Sequence, residues 1–583
     1  MKLMSQTNSV QKKALRIQKT FFKTLQSEID LLLGPPPPSI LKYERENNKD
    51  FILPQGESPY FITKDTLLKK IREADVTFIG DYHTFDQAQR TALRIIREVV
   101  EPASPWVIGL ELIPSHQQKQ LDDFQAGNLT LKEFHEAIQY TQEWGFPWKH
   151  YEPIFTWARD HHIRLIALNQ PKLFSPLSQE SSDLKERDRW AAGIITDLFR
   201  LEARLKMLVL YGELHVGTAH LPKQLQLISE QFLERPLQAV TLHQNHDQLY
   251  WKIAQTELHQ KPSIIELKEN VFCVFSSTPW AKLQSLMSWA EGGTPPHLSL
   301  TGPARADSLS FDEEFHSEGD DLHLFAQFIK SLTDFFEVSA PPLESVSIHR
   351  ADQTQFLSQL TKYTPFHAEE LKIIRFLVKN HQKVYIPKLG VAYLGTGSIN
   401  SMIELAAIHL LREKHQSLHF FKKNDSDFFR LILESTFGFL GSLILNPSRK
   451  CDLPIDHIRR LESLKSGEKV SFPDEPQARE LTLQLLPELF HEKQIQSFSL
   501  SQCNEKLLQR SPPLYLSTRY IGQILAKKLH IAILDNQVKI SEFKPLFFEP
   551  FMTQERENYR SRFSQLMSEI QHIRVEMSKN ESL

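Results

Sequence analysis

Between about Leu67 and Glu291 the chain alternates short apolar runs with stretches whose apolar residues recur every three to four positions. The runs "DVTFIG" (75–80), "WVIGLEL" (106–112), "IRLIALN" (163–169), "KMLVLYG" (206–212), "QAVTLH" (238–243) and "VFCVFS" (271–276) read as strands. Segments such as "QAQRTALRIIREVV" and "DRWAAGIITDLFRLEARL" read as helices between them. Strands that are apolar at successive positions need cover on both faces. The alternation therefore predicts an α/β fold, a mostly parallel sheet flanked by helices.

The helical period dominates after about residue 320, as in "ELKIIRFLVKN", "SMIELAAIHLLREKH" and "DFFRLILESTFGFL", interrupted by one extended element, "KVYIPKLGVAYLG". Ahead of the sheet, Ser9 to Leu33 reads as an amphipathic helix with Val10, Ile17, Phe21, Leu25 and Ile29 on one side. Such a helix packs on its own domain or lies on a membrane surface. "GPPPP" (34–38) stops it and acts as a stiff spacer. The chain then divides into an N-terminal helix with Pro-rich linker (1–60), an α/β domain (61–291), a loop-like linker (292–320) and a mainly α-helical C-terminal region of unknown function (321–583). A charged helix that frays is expected at the end, "RENYRSRFSQLMSEIQHIRVEMSKNESL".

Composition narrows the function classes. The 583 residues are 41% apolar and 24% charged with a net charge of −3, an ordinary globular balance that gives no electrostatic reason to expect nucleic acid. The three cysteines, Cys273, Cys451 and Cys503, contain no CxxC pair, which argues against a disulfide framework or zinc ribbon. The N-terminus has neither the apolar core of a secretory signal nor a lipobox cysteine. The longest apolar run, Phe437 to Leu445, is far shorter than the roughly 20 residues that span a bilayer. The expectation is a cytoplasmic protein without a transmembrane segment.

In an open parallel sheet, ligands collect in the crevice at the carboxyl ends of the strands. That rule gives meaning to two similar stretches, "FIGDYHTFDQAQR" (78–90) and "LVLYGELHVGTAH" (208–220), each ending a strand in Gly-x-x-His. His83 follows the first strand, Glu111 ends the second, Asn169 the third, and Glu213 and His215 follow the fourth. Gly80 and Gly212 would let the backbone turn off the strand. Neutral imidazole accepts a proton, binds a metal or ligates haem iron. Glu111 inside "GLELIP" is expensive to bury unless paired, and Arg90 on the following helix is placed to fork onto a carboxylate. His243 and His246 read as structural, His161 and His162 as solvated at the opposite end of the sheet, and His220 as a metal partner of His215 or a helix cap. Trp144, Trp148, Tyr151 and Trp157 suit an apolar pocket or, more commonly, core packing. In the helical half, glycines precede a helix in "YLGTGSINSMIELAA" (393–407), but without Gly-Lys-Ser/Thr the segment reads as a helix capped by Ser398.

The order of "ADVTFIGDYH", "GLELIPSHQQKQLDDFQAG", "WKHYEPIFTWARDHHIRLIALNQP" and "LVLYGELHVGTAHLP" resembles the ChaN-like haem-binding uptake family of the wider Tiki/erythromycin-esterase superfamily, over about Lys64 to Glu291. The resemblance implies a cleft at the strand ends that holds haem, in some members as stacked pairs between two subunits, so that a homodimer is one implied assembly. His83, His215, Arg90 and the adjacent tyrosines Tyr82 and Tyr211 would be the haem-contacting candidates. Other branches are hydrolases. For those, the matching set is His83, Glu111 and His215 as catalytic groups, or His83, Glu111, Glu213 and His215 around a divalent metal. Asp81 stands where the family motif usually has glutamate, and the helical half lies outside the resemblance. Three readings follow: haem handling, hydrolysis, or an interaction scaffold.

Overall fold

The computed structural model describes residues 9–52, 60–101, 105–171, 182–257, 264–291 and, with breaks, 318–573. Two compact units emerge: Lys19–Glu314 with a short C-terminal piece, and Met1–Gln18 with Phe315–Glu576. The expected 292–320 linker lies outside the described residues as far as residue 317.

The first unit is built on an eight-stranded sheet: β1 (Tyr60–Ile62), β2 (Val76–Asp81), β3 (Trp106–Pro114), β4 (Arg164–Asn169), β5 (Lys206–Gly212), β6 (Ala239–Gln244), β7 (Ile264–Lys268) and β8 (Val271–Val274). Their order is β1-β7-β8-β6-β2-β5-β3-β4. From β8 to β4 every pairing is parallel, whereas β7 is antiparallel to both β8 and β1. All six expected strands are present within two residues at either end. β1, at one edge of the sheet, and β7 beside it were not anticipated.

Side-chain alternation explains the cover on both faces. Val76, Phe78, Met207, Val209 and Tyr211 pack with Ala191, Ala192, Ile195 and Phe199 of the helix Ser182–Leu201 and with Leu221 and Leu225 of the helix Leu221–Phe232. Ile79, Ile108, Leu110, Leu208 and Leu210 face the opposite way. They meet Ala92, Ile95 and Ile96 of the helix Asp86–Val99 and Tyr151, Ile154 and Phe155 of the helix Trp148–Asp160. A one-residue slip in any central strand would exchange these two sets.

The amphipathic helix Ser9–Leu33 is present, and it buries Phe21, Leu25 and Ile29. Phe21 meets Trp280 edge-on at 5.0 Å, so this face packs on its own unit. Gly34, with φ of 73°, ends the helix in the left-handed region, and the next helix opens at Pro38.

The second unit is mainly helical, with a three-stranded sheet in which β11 (Val391–Leu394) is antiparallel to β10 (Lys383–Ile386) and parallel to β9 (Ser347–His349). β10 and β11 form the expected extended element, turned at Gly390 with φ of 61°. Ser398 does cap the following helix, its hydroxyl accepting from the Ser401 amide at 3.4 Å. Among the described residues, the helix Asp425–Leu445 is long and apolar enough to cross a membrane, and 94% of its most apolar window is buried inside the protein. The late helix Asn558–Ile570 does not fray over its described length: Phe563, Leu566, Met567 and Ile570 are all buried. The remainder of the expected terminal helix, 574–583, lies outside the described residues.

Candidate functional site

β2 carries Asp81 as its last residue, and a turn closed by Phe85 N–H donating to the Tyr82 carbonyl (2.8 Å) leads into the helix Asp86–Val99. His83 stands on that turn, its Nδ1 2.9 Å from Asp81 Oδ2. Asp81 is fixed in its turn by Tyr151, whose hydroxyl donates to Oδ2 at 2.6 Å, and by the Gln89 amide on Oδ1 at 2.5 Å. Burial alone would lower the His83 pKa. The Asp81 hydrogen bond and the charges of Asp81 and Glu111 outweigh burial and the repulsion of Arg187, and raise it above the usual value.

β5 ends similarly. His215 follows Gly212, with the His215 amide donating to the Gly212 carbonyl at 2.8 Å. Its Nδ1 lies 2.6 Å from Asp188 Oδ1, supplied by the helix Ser182–Leu201. Glu111 sits between the two histidines: Oε2 is 3.9 Å from His83 Nε2 and Oε1 is 4.0 Å from His215 Nε2. The Gly212 N–H donates to Glu111 Oε2 at 2.5 Å, and Arg187 pairs with Oε1 while its Nε donates to Asn169 Oδ1 at 3.1 Å. Burial pushes the Glu111 carboxyl up, but Arg187, both histidines and the Gly212 amide together hold it below its ordinary value, so it is ionised at neutral pH.

The two imidazoles differ in cover. The His83 side chain is 22% exposed and lies against aromatic rings, Trp144 at 4.7 Å and Phe146 at 4.8 Å, with Trp289 stacked on Phe146. The His215 side chain is 6% exposed. Over it lies the segment 38–51: Tyr43 donates to Asp188 Oδ2, stacks on His220 at 3.6 Å and meets His215 edge-on at 5.8 Å. A few residues on, Asp50 accepts from the Thr218 amide and from Lys268 Nζ, each at 2.7 Å, with His243 Nε2 at 3.3 Å. These partners overcome burial and hold Asp50 well below the carboxylate range. His246 stacks on Phe51 at 3.4 Å, and burial followed by the charge of Lys282 pushes its pKa down to about 3.

The structure thus brings His83, Glu111 and His215 together, with Tyr211 buried against His215 at 5.1 Å between ring centres. Other expected members lie elsewhere. Arg90 is 60% exposed and pairs with Asp86 one turn back on its own helix, because residues i and i+4 share a helix face. Tyr82 lies under Lys282, whose Nζ is 5.1 Å from the ring centre, and the Glu213 carboxylate is 3.8 Å from the same Nζ. β5 ends at Gly212, whose amide faces Glu111, and Glu213 in the turn that follows is directed to this lysine. Neither Gly80 nor Gly212 has positive φ, so they do not serve as sharp turns. Gly212 is needed for space: a Cβ there would stand 3.1 Å from Glu111 Oε2 and 3.4 Å from the His83 ring. Glu111 does not end its strand either, since β3 runs on to Pro114 with a shift in register against β4 after Leu110.

Sequence reasoning missed Arg187, Asp188, Tyr43 and Asp50, and it placed Tyr151 only in an aromatic cluster. The adjacent Arg-Asp pair in "KERDRW" is the one signal available, and charged pairs on helix surfaces are too common to single it out. Among the described residues, no three of His, Cys, Asp and Glu are grouped to hold a metal ion.

No curated protein is significantly similar to this chain. A solved structure described as cofacial heme binding to ChaN of Campylobacter jejuni is 14% identical over 36% of this chain and 91% of its own, with a TM-score of 0.27. The family model described as haem-binding uptake, Tiki superfamily, ChaN matches residues 67–189, a span that runs from ahead of β2 to Asp188 and Arg189. It is the α/β unit of this chain, and not its helical half, that carries the likeness to the ChaN family of the Tiki superfamily.

Proposed function

We propose that the α/β unit is a haem-binding module whose contact residue is His83, on the open side of the strand-end site. The observation that carries this reading is the contrast in cover. His83 is the partly open imidazole, held at Nδ1 by Asp81 and flanked by Trp144 and Phe146. A carboxylate on one ring nitrogen fixes the imidazole and raises the basicity of the other. Aromatic neighbours supply the flat apolar surface that a porphyrin requires. Bound haem would supply iron-centred redox and ligand chemistry; the residues here orient, cover and charge-balance it. The family match over 67–189 supports the same reading. Titrating haem into the purified protein should shift the Soret band, and His83→Ala should remove the shift. A wild-type protein that leaves the Soret band unchanged would refute it.

One observation favours a second reading. Both histidines have Nδ1 held by aspartate and Nε2 facing an ionised, buried Glu111, as an oriented general base in a hydrolase would be. On that reading Glu111→Gln abolishes turnover in an ester or peptide panel while leaving any Soret shift intact. No turnover in the wild type across the panel removes this reading.

A further inference from the structure

The segment 38–51, a helix (Pro38–Asn47) run into one tight turn (Asn48–Phe51), lies over the His215 side of the strand ends as a strap. It buries four side chains, Tyr43, Asn47, Asp50 and Phe51, whereas its other residues are exposed or half-buried. Three of the four dock on histidines. His220 stacks on the Tyr43 ring at 3.6 Å, and its Nε2 lies 3.2 Å from the Tyr43 carbonyl oxygen. Asp50 meets His243 Nε2 at 3.3 Å. Phe51 lies flat on His246 at 3.4 Å and tilted against His243 at 4.6 Å, and His246 Nε2 lies 3.0 Å from Asn48 Oδ1. The fourth, Asn47, fills the space over Gly217, where a Cβ would collide with its Oδ1.

The hydrogen bonds at His246 require the neutral ring. The Leu249 amide donates to Nδ1 at 3.3 Å, so that nitrogen carries no proton, and Nε2 carries the one that Asn48 Oδ1 accepts. A second proton would set Nδ1–H against the Leu249 N–H. Burial opposes the charged ring first, followed by Lys282 from the helix Pro279–Glu291, His243 from β6 and Lys252 from the helix Asp247–Glu257; together they hold the pKa at about 3. The nearby carboxylates are taken up elsewhere, Asp247 by Lys282 at 2.9 Å and Asp50 by Lys268, the Thr218 amide and His243. An imidazolium would gain a cation–π contact with Phe51, but it would lose the Leu249 bond and meet those cationic neighbours. With the strap lifted the ring faces water, and the ordinary value of about 6.5 returns. Closure is therefore fully supported above that value and loses its support as pH falls towards 3.

From this docking we propose that the strap is an acid-released cover: a proton on His246 displaces Phe51 and Asn48, and the lifted strap uncovers His215 and Asp188. The cover acts on the His215 side, so the inference stands apart from the haem reading at His83.

The test follows hydrogen exchange of the full chain by mass spectrometry between pH 7.5 and pH 5, with each rate corrected for its intrinsic pH dependence. The opening constant of peptides within 38–51 should rise about thirtyfold on acidification, the ratio set by a ring that titrates near 6.5 when open and near 3 when covered. Peptides of β5 should rise by less than about threefold, because the sheet does not open with the strap. His246→Phe keeps the stack on Phe51 but takes up no proton, so its strap should also rise by less than about threefold. Should that variant fail to fold, His246→Gln keeps a donor for Asn48 and should give the same flat response. A strap that opens no more at pH 5 than at pH 7.5, an equal rise in the folded variant, or an equal rise in β5 would each overturn the proposal.

Discussion

The two Gly-x-x-His segments follow neighbouring strands of one sheet and share a local sequence, yet they end in different circumstances. His83 takes its aspartate from its own strand and stays partly open beside Trp144 and Phe146. His215 takes Asp188 from a helix and is closed over by Tyr43. The motif therefore sets the direction of an imidazole, while a segment remote in sequence decides whether anything can reach it. Glu111 couples the two sides, facing one ring with each oxygen.

The sharpest way to break this comparison is to remove each ring. His83→Ala should abolish the haem-induced Soret shift, whereas His215→Ala should leave the haem affinity within about threefold of wild type, read by spectrophotometric titration. Equal losses would show that the two sides act as one. Next in size, Arg187→Met strips the buried Glu111 of its strongest partner. It should lower the unfolding free energy in urea by about 3 kcal/mol, the usual cost of an uncompensated buried charge, although both histidines and the Gly212 amide remain. Tyr43→Phe deletes only the hydrogen bond to Asp188 and should cost about 1 kcal/mol in the same assay. It should not alter haem affinity, because the covered side is not the contact side.

The smallest effect is in pH. Ligation through His83 needs the neutral ring, and its pKa is raised chiefly by the Asp81 hydrogen bond and charge acting against burial. Haem affinity should consequently fall as pH drops through a midpoint above the ordinary 6.5 of histidine. In Asp81→Asn that midpoint should move downward, because the hydrogen bond and charge that raise it are removed. A midpoint that stays in place would remove Asp81 from the account.

What could be read in the sequence follows from where the information resides. Two-sided apolar runs such as "KMLVLYG", short and alternating with helical patterns, read as central strands, so the parallel sheet and its strand ends were legible, and with them the meeting of His83, Glu111 and His215. β7 was missed because "IIELK" is only five residues long and carries two charged residues, and it becomes a strand through the turn at Asn270, φ 60°, that folds it onto β8. Arg187 and Asp188 lie on a helix whose surface is generally charged, and no spacing rule distinguishes the two that turn inward. Tyr43 and Asp50 belong to the segment read only as linker, since a tertiary partner leaves no periodic trace. Gly212 was recognised as necessary for the wrong reason: its value is the room it leaves for a carboxylate, which is invisible until the neighbour is known.

The docking of residues 38–51 has a practical consequence for anyone dividing this protein. The family match begins at residue 67, and a fragment started there would contain every strand from β2 onward yet lack Tyr43 and Asp50. Its exposed surface would then include His215, His243 and the Thr218 amide, none of which faces water in the intact chain to the same degree. Ligands measured on such a fragment would report on a doorway that the whole protein keeps shut.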